Sequence, residues 1–266
     1  MQTQNGMTFS AGYGRQSAVL AALLLAGAVA GPVFAAPADA LDAVSISIGE
    51  YFVSPTTNVG VNTRYGSGDS GDISSHAIQV PRINADFLLG DHQGFAFDYY
   101  GFYRNYADTF TRALSTDRSD LSALGNSTAN VGLDVANASY KWWFGHAADV
   151  VGLGVGAAYY RIHIGVDASA ANYSADAVAP LIQFGWRHAF SPATRAYVDI
   201  SGIEKSGGNL NGHIYNAAIG AEWYFAKHLG VGAEYSATRV SINVDDNNES
   251  LNVKLDGPTL FLKARF

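Results

Sequence analysis

Cysteine is absent from all 266 residues, so a disulfide scaffold, a thiolate metal site and a cysteine nucleophile are excluded together. Charge is scarce as well: Asp, Glu, Lys and Arg make up 15% of the chain, against about a quarter in an ordinary soluble domain. The charge that is present leans acidic, with 23 carboxylates against 16 basic side chains, which excludes a phosphate-neutralising nucleic-acid surface. Beyond the N-terminal region no stretch of ~18 consecutive apolar residues occurs, so no helical membrane span is readable. Against these absences stand 48% hydrophobic residues and 29 glycines. So much apolar surface with so little charge needs either a large core or lipid.

The N-terminal region has its own pattern. Met1 to Gly14 is polar, Arg15 is the only charge before Asp39, and Ala18 to Gly31 is apolar. Val33-Phe34-Ala35 and Ala36-Pro37-Ala38 then place small residues where a signal peptidase reads them. The pattern predicts a signal peptide over 1–35, cut after Ala35 or Ala38, and a single domain over 36–266. The apolar run is shorter than the ~20 residues that an uncleaved helical anchor needs.

The rest of the chain alternates with a period of two, the period of a strand with two different faces. Val44, Ile46, Ile48 and Phe52 oppose Ser45, Ser47, Gly49 and Tyr51; Val151, Leu153, Val155 and Ala157 oppose Gly152, Gly154, Gly156 and Ala158. Ala217, Ile219, Ala221 and Trp223 oppose Asn216, Ala218, Gly220 and Glu222, and Val231, Ala233 and Tyr235 oppose Gly232, Glu234 and Ser236. Ten segments are predicted, at 43–53, 77–89, 94–108, 129–144, 149–166, 176–189, 195–204, 211–225, 229–243 and 250–266. Their connectors alternate: 54–76, 109–128, 167–175, 205–210 and 244–249 are long or polar, while 90–93, 145–148, 190–194 and 226–228 are tight. An even strand count, short turns on one side and long loops on the other is the layout of an outer-membrane barrel.

A soluble barrel or sandwich shares that period but turns its apolar face inward. Here the second face collects Gly, Ser, Asn and charge, which cannot form a dry core and does suit a wet lumen. Tyr140, Trp142, Phe144, Phe184, Trp186, Trp223 and Phe225 fall near strand ends, where amphipathic rings line a membrane interface. The fold class expected is all-β: one closed antiparallel transmembrane β-barrel of about ten strands, with eight or twelve as alternatives. Closure is required because lipid offers backbone N–H and C=O groups no partner.

The last residues, Gly257 to Phe266, end in an aromatic with Leu260, Leu262 and Ala264 alternating back from it. This terminal motif resembles the C-terminal signal of bacterial outer-membrane proteins, and the periodicity is similar to small single-chain barrels of the OmpW-like and opacity-type class. The resemblance covers essentially the whole mature chain, as periodicity and a short motif. It implies a bacterial outer-membrane location and an assembly signal at Leu260, Leu262, Ala264 and Phe266 read by the barrel-assembly machinery.

Following parity inward gives a predicted lumen charge network of Asp86, Asp98, Asp199, Glu222 and Glu234 with Arg82, Arg104, Lys141, Arg187, Lys263 and Arg265. Near balance of sign points to ion pairs that fill and stiffen a narrow barrel, with a selective lining for small solutes as the second reading. Parity slips near the outer strand ends: Tyr160, Ile162, Ile164 and Val166 take over the apolar role in one strand, with similar slips around Pro81, Arg239 to Ile242 and Leu255 to Pro258. These slips are either β-bulges or strands that have left the membrane, and they leave Arg161 and His163 unassigned.

No catalytic, cofactor or metal constellation stands out. Of the seven histidines, His92, His146, His188 and His228 fall in or beside tight turns, the pattern of a solvated rim. Asp245 and Asp246 with His213 and His76 could be assembled at the outer rim as in the omptin proteases, and no His-x-Ser pair of the lipid A deacylase kind exists. Gly152-Leu153-Gly154-Val155-Gly156 lacks the Lys-Ser/Thr of a phosphate loop, and Gly66 to Asp72 lacks the spacing of a defined calcium loop. The expectation is a non-enzymatic protein without cofactor, acting through loops 54–76 and 109–128. A narrow pore or carrier is the alternative and an outer-membrane hydrolase the second one. Outer-membrane lipid and lipopolysaccharide and the assembly machinery are the expected partners, nucleic acid is not, and a monomer is expected.

Overall fold

The computed structural model describes residues 40–63, 66–69, 72–74, 77–106, 129–166, 171–207, 210–244 and 249–266. The signal peptide expected over 1–35 lies outside the described residues. Twelve strands follow in order: β1 Val44–Thr63, β2 Gly66–Asp69, β3 Ile73–Ser74, β4 Ile78–Leu89, β5 Gln93–Tyr106, β6 Ala129–His146, β7 Asp149–Val166, β8 Ala171–Ser191, β9 Thr194–Lys205, β10 Leu210–Tyr224, β11 Leu229–Val244 and β12 Glu249–Arg265. Each of β4 to β12 pairs antiparallel with its neighbour, β4 pairs with β1, and β12 returns to β1. The ten strands β1 and β4 to β12 thus close into a barrel without an edge, which satisfies every backbone group that lipid would strand.

The small strands β2 and β3 lie on the far end of β1, pairing with Gly60 to Thr63 and with Thr56 and Thr57. This corrects the reading of 54–76 as a loop. The alternation of Val59 and Val61 with Thr63 extends β1 upward and folds a hairpin onto it, rather than adding barrel strands. β6, β8, β9 and β11 also run past their predicted ends, β8 most of all at 21 residues.

Register is continuous where parity had suggested slips. β7 pairs with β6 from Asp149 to Val166 and with β8 over the same length, with no bulge near Tyr160. β4 is regular through Pro81, and β11 and β12 keep one register past Arg239 and Asp256. The register shift that does occur lies at the turn end, between Ala189 and Ser191. The strands have therefore left the membrane, and it is the chemistry of the two faces that changes.

Near the turns the outward face is apolar. Val151 is 38% exposed, Leu153 50%, Ile219 62% and Val231 37%, whereas Glu222 and Glu234 are buried inside. These outward apolar spans, such as 151–159 on β7, 215–223 on β10 and 229–237 on β11, are each ~9 residues long, the length a tilted strand needs to cross the hydrocarbon. Phe144, Trp142, Phe190, Trp223 and Phe225 are exposed at the turn end of the band, and Tyr99, Tyr103, Tyr215 and Tyr235 at its other end. These rings form two interfacial girdles.

Above the tyrosines the faces exchange roles. On β11 the outward positions become Arg239, Ser241 and Asn243, while Val240 and Ile242 are buried inside. On β12 Asp256, Lys254 and Asn252 face out and Leu255, Val253 and Leu251 face in. The inward face was expected to stay small or polar throughout; this holds only at membrane depth. Outside the bilayer the wall stands in water, so the apolar side chains turn inward as in a soluble barrel. They form one cluster that includes Tyr51, Val53, Tyr100, Val135, Leu181, Ile242 and Leu255, each fully buried aliphatic contributing ~1.5–3 kcal/mol.

Candidate functional site

At membrane depth the inward positions carry the charge. Arg82 on β4 lies 2.9 Å from Asp98 on β5 and 2.5 Å across the lumen from Glu234 on β11, whose other oxygen accepts the Tyr197 hydroxyl at 2.8 Å. Arg187 on β8 holds Asp199 on β9 with both oxygens, at 2.9 and 2.8 Å, and its guanidinium rests 4.8 Å from the Tyr197 ring and 5.3 Å from the Trp143 ring. Lys263 on β12 pairs with Glu222 on β10 at 2.8 Å, and the Tyr224 hydroxyl donates to the same carboxylate at 2.7 Å. Bidentate and aromatic-stacked arginines of this kind are geometrically specific.

The geometry also explains several luminal glycines. Gly220 sits directly opposite Tyr197 and Gly232 opposite Phe261, and a Cβ at either would collide with the facing ring. Gly152 lies in the same way under Trp143. In the glycine-rich run of β7, Gly152 thus makes room for a cross-strand aromatic, while Gly154 lies close to Lys141 and Gly156 close to Ser139.

Of the luminal charges expected from sequence, Asp86, Asp98, Asp199, Glu222, Glu234, Arg82, Lys141, Arg187 and Lys263 all line one cavity of about 100 Å³. Arg265 lies lower, with its guanidinium 3.6 Å from the Tyr224 ring. The side chain of Arg104 lies outside the described residues. Two members were missed: Asp42, just ahead of β1, and Arg195 on β9, which meet at 2.7 Å. Arg195 shares its parity with Asp199, a signal that was available; Asp42 precedes any alternation and had none. With them, among the described residues, six carboxylates (Asp42, Asp86, Asp98, Asp199, Glu222, Glu234) face six cations (Arg82, Lys141, Arg187, Arg195, Lys263, Arg265).

The cavity is roofed by the apolar cluster. Tyr100, Ile203 and Ile214 belong to both, and Val135, Leu181 and Leu255 close the space above with 0%, 1% and 1% exposure. Ten strands are wider than the eight that side chains fill easily, and here large apolar side chains occupy the interior above the charges.

The histidines are dispersed. His188 pairs with Asp149 at 2.8 Å on the turn-end rim, His228 stacks on Phe266 at 5.7 Å, and His92 lies in the β4–β5 turn. His163 leans toward Tyr103 at 6.4 Å and His213 toward Tyr215 at 5.0 Å, both on the outer wall, as is Arg161. His76, Asp245, Asp246, loop 109–128 and the side chain of His146 lie outside the described residues, and among the described ones no group of three or more metal-ligating side chains occurs. Leu260, Leu262 and Phe266 of the terminal motif face outward at 56%, 60% and 46% exposure.

A closed barrel wearing an apolar belt outside and charges within is a bacterial outer-membrane β-barrel. Solved structures agree on the fold: the outer membrane protease OmpT from Escherichia coli superposes with a TM-score of 0.54 at 12% identity, over 84% of this chain and 96% of that one. The translocator domain of the autotransporter NalP from Neisseria meningitidis (TM-score 0.43, 12% identity, 94% and 97% covered) and Ail, the attachment invasion locus protein of Yersinia pestis (0.38, 10%, 84% and 97%), are more distant. At these identities the likeness is one of fold alone. No protein-family model matches the chain, and no curated protein matches it.

Proposed function

We propose that this outer-membrane barrel is a non-enzymatic, non-conducting platform whose role is interaction at its extracellular end. The observation that supports this reading is the apolar cluster packed inside the barrel above the luminal charges, where the strands rise beyond the lipid band. The raised wall is polar outside. Asp134, Arg161 and Asp176 are successive register neighbours on β6, β7 and β8, and Arg239 pairs with Asp256 while Lys254 lies 3.4 Å from Asp72. This mixed-charge collar sits directly above the tyrosine girdle, at the height of lipid headgroups, and supports contact with the phosphates of lipopolysaccharide. The extension formed by the far end of β1 with β2 and β3, together with loop 109–128, then carries contacts to other partners.

Two measurements test the reading. Refolded protein in a planar bilayer is expected to give no reproducible conductance, and channels in the unaltered protein would favour the pore instead. Replacing 109–128 with a Gly/Ser linker is expected to leave the heat-dependent gel shift of the folded barrel intact while lowering attachment of expressing cells to surfaces; unchanged attachment would count against the loop's role.

A further inference from the structure

At the turn end, taken as periplasmic because the short turns lie there, the lumen is closed by residues that belong to no strand. Ala40 and Leu41 are buried, at 3% and 8% exposure, in a socket formed by Trp143, Val150 and Ala189. Asp42, the next residue, reaches Arg195 on β9, the register partner of the socket's Ala189, and the cations of β12 beyond it. Its carboxylate lies 2.7 Å from Arg195, 3.6 Å from Lys263 and 3.8 Å from Arg265, and 3.3 Å from the Tyr224 hydroxyl. Three residues thus lie at the mouth, held by apolar contact and by charge.

Above this segment lies a second cavity of about 40 Å³, lined by Ala40, Leu41 and Asp42. It shares Asp86, Lys141, Arg187, Glu222 and Lys263 with the chamber of about 100 Å³. The two cavities thus adjoin through five shared charged residues, and the three residues form the floor of the lower one.

The floor's backbone is sparsely joined to the wall. Among the described residues, it makes one hydrogen bond to the barrel's main chain, from Ala40 N to Ala147 O at 3.4 Å, and the Leu41 carbonyl accepts one from Arg195 at 3.5 Å. The cations that grip Asp42 are mostly satisfied without it. Lys263 keeps Glu222 at 2.8 Å, and Arg265 keeps the carbonyls of Lys227 and Pro192, each at 2.9 Å. Arg195 and Arg265 have Asp42 as their one carboxylate partner among the described residues, and the Arg195 Nε has no partner there. The barrel closes through β12 and β1 whether or not the segment is in place.

We propose that Ala40–Leu41–Asp42 is a releasable periplasmic stopper. Its withdrawal opens the luminal chamber to small polar solutes from the periplasmic side, and the apolar roof keeps the extracellular end shut. The chamber is a cul-de-sac, and the inference holds whatever the extracellular loops bind.

Because the chain lacks cysteine, Ser201→Cys places a single thiol on the chamber wall. The full chain, refolded into lipid nanodiscs, is treated with 2-(trimethylammonium)ethyl methanethiosulfonate, and the labelling rate is followed by mass. S201C alone is expected to label slowly. Adding D42A or, separately, L41S is expected to raise the rate by at least about tenfold, which corresponds to about 1.4 kcal/mol off the closing free energy. Acetate, supplying a free carboxylate to Arg195, is expected to slow D42A but not L41S. The heat-dependent gel shift confirms that each variant is folded. Labelling of both double variants at the S201C rate overturns the stopper, as does S201C labelling as fast as a Ser241→Cys control on the outer wall. A D42A barrel that conducts in a planar bilayer overturns the cul-de-sac.

Discussion

Arg82→Leu is expected to lower the unfolding free energy of the lipid-reconstituted barrel by ~3–5 kcal/mol, the loss typical when one member of a buried ion pair is removed. Arg82 is the one cation that Glu234 pairs with directly among the described residues, and it bridges β4 to β11 across the lumen as well as β4 to β5. Its removal leaves the Glu234 side chain at 7% exposure with only the Tyr197 hydroxyl, and Asp98 without its guanidinium. The penalty comes mainly from stranded carboxylates, so neutralising them should restore stability: the triple variant R82L/D98N/E234Q is expected to regain more than half of the loss. Urea titrations of the three proteins check this. A loss under ~1 kcal/mol for R82L would mean that water already screens the pair as it does on a surface.

The second large effect depends on height rather than on residue type. On β11, Ala233 faces lipid at the middle of the apolar span 229–237, Ser241 faces water from the same side of the strand, and Val240 faces the inner core. Ala233→Lys is expected to cost ~2–4 kcal/mol, the cost of a basic side chain on the lipid face at mid-membrane. Ser241→Lys, eight positions on at the same parity, should change stability by no more than ~0.5 kcal/mol. Val240→Lys, at 3% exposure in the inner core, places an unpaired charge among apolar side chains and is expected to be at least as harmful as A233K. Equal tolerance of lysine at 233 and 241 would remove the distinction between lipid-facing and water-facing wall.

How far the sequence carried this picture follows from the same physics. Alternation identified the ten strands and their closure because lipid and lumen impose opposite demands on successive residues. Parity also placed the membrane-depth charges, since Glu222 and Glu234 share faces with Gly220 and Gly232. What alternation could not reveal was the exchange of faces. Tyr160 follows Tyr159 in the chain, and the move of apolar residues from odd to even positions resembles a bulge unless one knows that the strand has passed from hydrocarbon into water. Register settles it: Arg161 stays on the outer wall beside Asp134 and Asp176. Asp42 was invisible for a different reason. It acts from outside any strand, and only the fold brings it under Arg195.

The measurement closest to the central claim is a nitroxide scan of β11 in liposomes, one cysteine at a time from 229 to 243, comparing collision with dissolved oxygen and with a water-soluble nickel complex. The account predicts high oxygen access at odd positions from 229 to 237, nickel access at odd positions from 239 to 243, and little of either at 240 and 242. Oxygen access that stays with odd positions to 243, or that moves to the even positions beyond 238, would contradict a barrel that is inside-out in the membrane and right-side-in above it.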